Sequence, residues 1–360
     1  MANGPSKYNN LGYFNLARGI GIVLILAGHS MVPFMTLDTS ARAGLFSGAG
    51  SVIGGGVMAM FFLISGFGFY TRTPKKCLQT QTRLLLYPYY QVAALLVMVR
   101  LALSLLRGRS LRAVLPDLLL TLPIGLNAEN SSAMFGEPVK SVTILWFILA
   151  LFGGWVIYNR ICRVKDTRKQ NLLLLVCVVS GWALTLVSKA WPMCLPMALT
   201  ACGYLAAGNT IKRKNLLVEK LPVKAWLFMA VICLISLAYG TVDIGAGIWK
   251  LGLIDVAATF CLGFLLLRLY ARFMELELQN RFLQTLERIG NRSIWIVFFH
   301  AMEKSLLPWY RLRALIPYPW LSMLVCFTAR SLLIWAAYRS LTYLSRMLRR
   351  RRKQKYIIEA

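Results

Sequence analysis

Residues 14–33 read FNLARGIGIVLILAGHSMVP: an arginine, ten residues that are nearly all aliphatic or glycine, then a histidine. An apolar run of membrane length with an ionisable side chain at each end needs a reason, because such groups are costly in hydrocarbon unless they meet partners or water. Its default reading is a functional site. As one helix rising about 1.5 Å per residue, the run sets the His29 ring roughly 16 Å from Arg18 along the axis. Arg18 then lies near one membrane surface and His29 deep in the bilayer.

The rest of the chain has the same character. Of its 360 residues 58% are hydrophobic and only 15% charged, the mean hydropathy is +0.60, and the apolar residues fall in membrane-length blocks separated by basic turns. The expected fold is therefore an all-α, polytopic integral membrane protein. Its one membrane domain covers residues 1–344, and a basic tail of residues 345–360, too short to bury a core, follows. The formal net charge of +28 would suggest a nucleic-acid partner in a soluble protein. Here it divides between two faces. Lys7, the turns at 72–83, 160–169, 212–224 and 272–292, and the tail at 346–355 hold 26 of the Lys and Arg residues, whereas the intervening loops hold nine. That alternation obeys the positive-inside rule, which places both termini in the cytoplasm, requires an even number of spans and leaves no charge for nucleic acid to explain.

The eight cysteines are scattered, mostly within apolar blocks, with no Cys-x-x-Cys pair and no nearby histidine. They read as small core residues; neither a disulfide framework nor a metal site is expected. Residues before Arg42 could imitate a signal peptide with Ala41-Arg42-Ala43 as its cleavage site, but the apolar run exceeds the usual h-region and cleavage would discard His29. Ten spans are expected, at about 14–33, 50–70, 84–106, from 142 on, 172–188, 191–211, 225–241, 249–270, 293–307 and 320–344. The proline-broken LRAVLPDLLLTLPIGL at 111–126 is expected to lie in the interface or re-enter. Glycines in GAGSVIGGG (48–56) serve close helix packing, since no strand precedes them to make a nucleotide loop.

Buried polar groups supply partners for the first span. His300, in IWIVFFHAMEKS, rises from the cytoplasmic side about 12 Å beyond Arg292, which brings it to a depth like that of His29. Glu303 follows on the same helix face, placed to orient the ring or take its proton. The chain has two histidines in all, and both are intramembrane. Asp255 and Arg330, embedded in the eighth and tenth spans with Arg100 in the third, are expected to neutralise each other.

These residues resemble the integral-membrane acyltransferase family 3, whose members O-acylate cell-surface carbohydrates. The family's arginine, ten residues and histidine are matched by Arg18 to His29. MFFLISGFGFY, TRLLLYPYY, ILWFILALF, PMALTACGYLAAGNTI and SIWIVFFH resemble its further motifs in family order, together covering nearly the whole chain. Two departures touch the donor side: Asn15 stands where the family commonly has an aspartate, and only Arg83 remains of a usual arginine pair, with Lys75 and Lys76 as stand-ins.

The resemblance implies a cell-membrane enzyme with no tightly bound cofactor. It would take acyl-CoA, usually acetyl-CoA, from the cytoplasm and transfer the acyl group to a hydroxyl of a carbohydrate or lipid-linked glycan. Arg18, Lys75, Lys76 and Arg83 would bind the coenzyme phosphates, His29 would act as base or transient acyl carrier, and His300 with Glu303 would line the acceptor side or relay the proton. The competing reading is a transporter or flippase moving a glycolipid or small polar solute past the same histidines; internal repeats would favour it. A third is a non-catalytic subunit of a polysaccharide-export complex.

Overall fold

In the computed structural model the chain is almost entirely helical. The structure describes residues 11–35, 41–112, 132–134, 137–139, 143–188, 191–278 and 280–358. The predicted interfacial segment at 111–126 lies largely outside them. The first helices are α1 (Asn15–Met35), α2 (Ala41–Phe67), α3 (Pro74–Gln81), α4 (Tyr87–Leu106), α5 (Trp146–Ile161) and α6 (Thr167–Val187). There follow α7 (Leu195–Arg213), α8 (Val223–Tyr239), α9 (Leu253–Glu275), α10 (Arg281–Asn291), α11 (Ser293–Leu306) and α12 (Pro319–Ile358). Two short antiparallel pairs, Ser132–Met134 with Glu137–Val139 and Val242–Asp243 with Ile248–Trp249, and several short helical turns, Leu312–Leu315 among them, make up further regular structure.

Among the described residues six stretches are long and apolar enough to cross a membrane: Gly12–Phe34, Gly48–Phe67, Pro74–Leu106, Thr167–Val187, Leu253–Glu275 and Pro319–Tyr343. About 20 helical residues span the hydrocarbon core, so α5 and α8, apolar but shorter, fall just under that length. Aliphatic side chains such as Leu172 and Leu175 on α6 and Leu227 and Leu234 on α8 are exposed. That is the pattern of helices solvated by lipid.

One span differs from its predicted form. The basic stretch before the third span is helical from Pro74, and a π-helical turn at Thr82–Leu86 joins α3 to α4 without a break. Thr73 starts the rod by accepting a hydrogen bond from the Lys76 amide, with Pro74 at the first helical position, where its missing N–H costs nothing. Lys75, Lys76 and Arg83 are therefore helical, not loop, residues.

The core centres on α2, which packs against α7, α8 and α9. Lipid removes most of the hydrophobic drive between membrane helices, so association depends on close backbone approach at small residues. At the α2–α7 crossing a Cβ on Gly66 would sit 2.3 Å from the Leu205 carbonyl oxygen, and one on Gly208 would sit 2.1 Å from that of Leu63. Gly208→Leu is accordingly expected to destabilise the protein by about 1–3 kcal/mol or more, as overpacking against rigid backbone does. Thermal unfolding in detergent checks this, and a melting temperature unchanged from wild type would refute so tight a crossing.

The turns read as cytoplasmic are joined at one end of the bundle. The Asn159 side chain accepts from the Arg72 amide at 2.8 Å and donates to the Arg72 carbonyl at 3.0 Å, which ties the 72–83 stretch to the end of α5. Lys212 at the end of α7 lies 5.7 Å from the Phe67 ring centroid. Arg268 on α9 donates to the carbonyls of Leu216 and Glu219 at 2.8 and 2.9 Å. All eight cysteines are free, and six of them are buried.

Candidate active site

Arg18 and His29 lie on the single helix α1, as the opening stretch predicts, and His300 and Glu303 lie on α11. α12 packs against both helices. This brings the two histidines together: their ring centroids are 5.2 Å apart, with the planes inclined at 45°. Pro33 lies within α1 and has no amide hydrogen, so it withdraws the helical donor from the carbonyl of His29. One main-chain acceptor is freed beside the imidazole.

His300 is held from the other side. Its Nδ1 lies 2.5 Å from Oε1 of Glu303, both side chains being buried. A carboxylate only accepts, so this bond places a ring proton on Nδ1, and in the neutral imidazole Nε2 then keeps its lone pair. Nε2 is buried and makes no hydrogen bond among the described residues. The second carboxylate oxygen of Glu303 accepts from Trp309 Nε1 and lies 3.5 Å from Arg330 Nε. The Arg330 guanidinium stands 5.1 Å from the Trp309 ring centroid, a cation–π distance.

The predicted neutralisation of Asp255 by Arg330 is corrected here. Asp255 sits in the first turn of α9, accepts from the Ser236 hydroxyl at 2.6 Å and the Leu251 amide at 2.8 Å, and needs no distant cation. Arg330, only 2% exposed, is neutralised by Glu303. Arg330 and Trp309 were thus missing from the predicted site. The signal for Arg330 was an arginine inside an apolar span, misassigned to the wrong acid. Trp309 follows a helix end and carried no such signal.

At the other end of α1, Arg18 is half-buried and donates to Asn15 Oδ1 at 3.4 Å. The residue that departs from the family pattern therefore still meets Arg18, as a neutral acceptor. The amphipathic α10 crosses α1 closely here: a Cβ on Gly19 would fall 1.9 Å from the Leu286 carbonyl oxygen, and one on Gly290 would strike that of Asn15. The hydroxyl of Tyr270 donates to the carbonyl of Tyr13 just before α1. Lys75, Lys76 and Arg83 are exposed on the α3–α4 rod, and no hydrogen bond or ion pair among the described residues joins them to Arg18. Arg72, stacked 4.1 Å from the Tyr70 ring centroid, presents buried Nε and Nη1 atoms that make no hydrogen bond among the described residues. No group of three His, Cys, Asp or Glu among the described residues is arranged to hold a metal ion.

Two imidazoles thus meet inside a multi-pass helical bundle, one of them ordered by a buried carboxylate. Residues 11–346 match the family model described as an acyltransferase domain, that of acyltransferase family 3. The match spans nearly the whole chain, and the protein belongs to this family of membrane acyltransferases. No curated protein and no solved structure matches the chain.

Proposed function

We propose that this protein is an O-acyltransferase of the cell membrane that moves an acyl group, acetyl in the first instance, from acyl-CoA to a hydroxyl of a cell-surface or lipid-linked carbohydrate. The observation that carries the reading is the pairing of His29 with His300 over the buried Glu303 carboxylate, in a chain of this family. In the accompanying topology ten helices cross the membrane and both termini are cytoplasmic. The joining of the basic turns at one end of the bundle supports it.

The donor's phosphates need cations at the cytoplasmic end, and Arg18, Lys75, Lys76 and Arg83 meet them there; guanidinium groups can grip phosphate oxygens in pairs. The acyl arm extends along α1 over the roughly 16 Å that separates Arg18 from His29. The acceptor hydroxyl oxygen attacks the thioester carbonyl carbon. A C–O bond forms, the C–S bond breaks, the hydroxyl proton passes to His29, and the imidazolium returns it to the departing thiolate. His300, its Nδ1 proton held by Glu303, offers Nε2 to the same space and relays the proton.

The test uses the full chain in nanodiscs with labelled acetyl-CoA, following free thiol and label transfer to a lipid-linked glycan extract. Wild type is expected to release thiol and move label. Should it bind no acyl-CoA and release no thiol with any donor tried, the acyl-transfer reading fails and transport becomes the question.

A further inference from the structure

Three glycines near the imidazole pair border space that no described residue fills. The antiparallel helices α1 and α2 touch at Gly21, where a Cβ would fall 2.8 Å from the Phe61 ring and 3.0 Å from the end of the Met60 side chain. Two turns further from the basic end of the bundle, the same helix faces carry Gly28, seven residues on from Gly21, and Gly54, seven residues before Phe61. One more turn brings Val32 level with Gly50. Gly28, Gly50 and Gly54 are exposed, and a Cβ on any of them would meet nothing within 4 Å among the described residues. Only residues 36–40 connect the two helices, so their ends part by no more than about 20 Å. The facing glycines therefore bound a slot between α1 and α2.

Packing accounts for other glycines of this run but not for these. At Gly55 and Gly56, turned away on α2, a Cβ would strike Thr259 and Leu262 of α9 at 2.7 Å, the close-packing use that the sequence led us to expect. At Gly28, Gly50 and Gly54 alanine would fit and would favour the helix. Glycine where no neighbour demands it leaves room for a ligand against the backbone.

A second observation is polar. His29 is half-buried and follows Gly28 directly; Val32, at i+3 from His29 and i+4 from Gly28, carries the exposed strip from the glycine face to the imidazole. The His300 ring, 2% exposed, stands 5.2 Å from the His29 ring, and its Nε2 makes no hydrogen bond among the described residues. A buried ring nitrogen inside the membrane calls for a partner, and the described residues supply none. The rim of the slot is apolar, Val32 and Ile53 being 60% and 51% exposed. Phe61, packed on Gly21, closes it on the Arg18 side. An occupant thus comes from the half of the bilayer opposite the proposed donor cations.

We propose that this slot admits a lipid-linked acceptor sideways from the bilayer. Its apolar chain lies along Val32 and Ile53, and a hydroxyl of its headgroup reaches the imidazole pair, His29 being about 7.5 Å by helix rise from the end of the span at Phe34. Naming the ligand an acceptor rests on the acyl-transfer reading; a slot for a lipid does not.

The test uses the full chain in nanodiscs without acyl-CoA, so its outcome is independent of acyl transfer. Two probes carry a photoactivated diazirine in the chain close to the headgroup, a polyprenyl diphosphate-linked glucose and a glucosyl diacylglycerol, and cross-linked peptides are mapped by mass spectrometry. In wild type at least one probe is expected to label 24–32 and 50–54 in preference to the lipid-exposed α6 and α8, with its unlabelled form competing and phosphatidylglycerol not. The probe that labels names the anchor. Gly54→Leu, which fills the slot where no described neighbour is met, should keep the wild-type melting temperature and lose the label about 10-fold, the effect of overpacking an occupied space. Gly28→Leu should do the same. Label spread evenly over the lipid-facing helices, or displaced equally by phosphatidylglycerol, identifies ordinary lipid solvation and overturns the proposal; so does a folded Gly54→Leu that keeps its full label. Competition on wild type decides the matter if a variant fails to fold.

Discussion

Arg330→Met is expected to lower the stability of the protein by about 3–5 kcal/mol, the usual cost of breaking a buried ion pair by removing one partner. Arg330 is 2% exposed and Glu303 8%, and the carboxylate is shared by the guanidinium, the Trp309 indole and the His300 imidazole. Removing the cation leaves a buried negative charge with two neutral hydrogen-bond donors. Glu303→Leu should cost as much, since it strands Arg330 and leaves the His300 Nδ1 proton without its acceptor. The double variant Glu303→Leu/Arg330→Met should recover most of the loss, because apolar side chains can replace a buried pair at little net cost. Denaturant unfolding in micelles measures all three. Single variants within about 1 kcal/mol of wild type, or a double variant no better than the sum of the singles, would show that the pair is solvated and structurally idle. The ion pair joins α11 to α12, so its loss should also loosen the wall of the histidine site.

The second large effect is on the chemistry. His29→Ala should reduce acyl transfer by about 10²- to 10⁴-fold, the range over which a positioned general base acts, and the melting temperature of the variant, measured alongside, separates a loss of chemistry from a loss of folding. His300 separates two roles. In His300→Gln the side-chain amide can still donate to Glu303, but no titratable nitrogen faces His29. If His300 relays the proton, His300→Gln loses transfer nearly as severely as His29→Ala; if it only props Glu303, the glutamine variant keeps most of the rate. An active His29→Ala enzyme would dismiss this histidine as the base, and with it the proposed step.

The parts of this site that follow from helix geometry are legible in one dimension. A rise of about 1.5 Å per residue and 3.6 residues per turn suffice to set His29 deep relative to Arg18, to raise His300 to a similar depth from the other direction, and to put Glu303 on its face. The 5.2 Å ring separation and the 2.5 Å bond agree with that local arithmetic. Hydropathy was similarly informative, since a backbone in lipid must satisfy its own hydrogen bonds and only long apolar helices do so. The ten spans it led us to expect include the six stretches that, among the described residues, are long and apolar enough to cross a membrane, but it missed the helical continuity of 74–106, because a basic stretch lowers hydropathy without breaking a helix.

What the sequence by itself determined was therefore the class of fold, the meeting level of the two histidines and the place of Glu303 on the face of His300. Only the tertiary structure decided which groups of equal depth meet: Arg330 goes to Glu303 and not to Asp255, Trp309 folds back onto the same carboxylate, and Gly19 and Gly290 let α10 lie across the Arg18 end of α1. The physical reason is that depth along the membrane normal is fixed by local rise. The rotation and lateral order of the helices are set instead by close packing summed over many small residues, and no single stretch of sequence carries that sum.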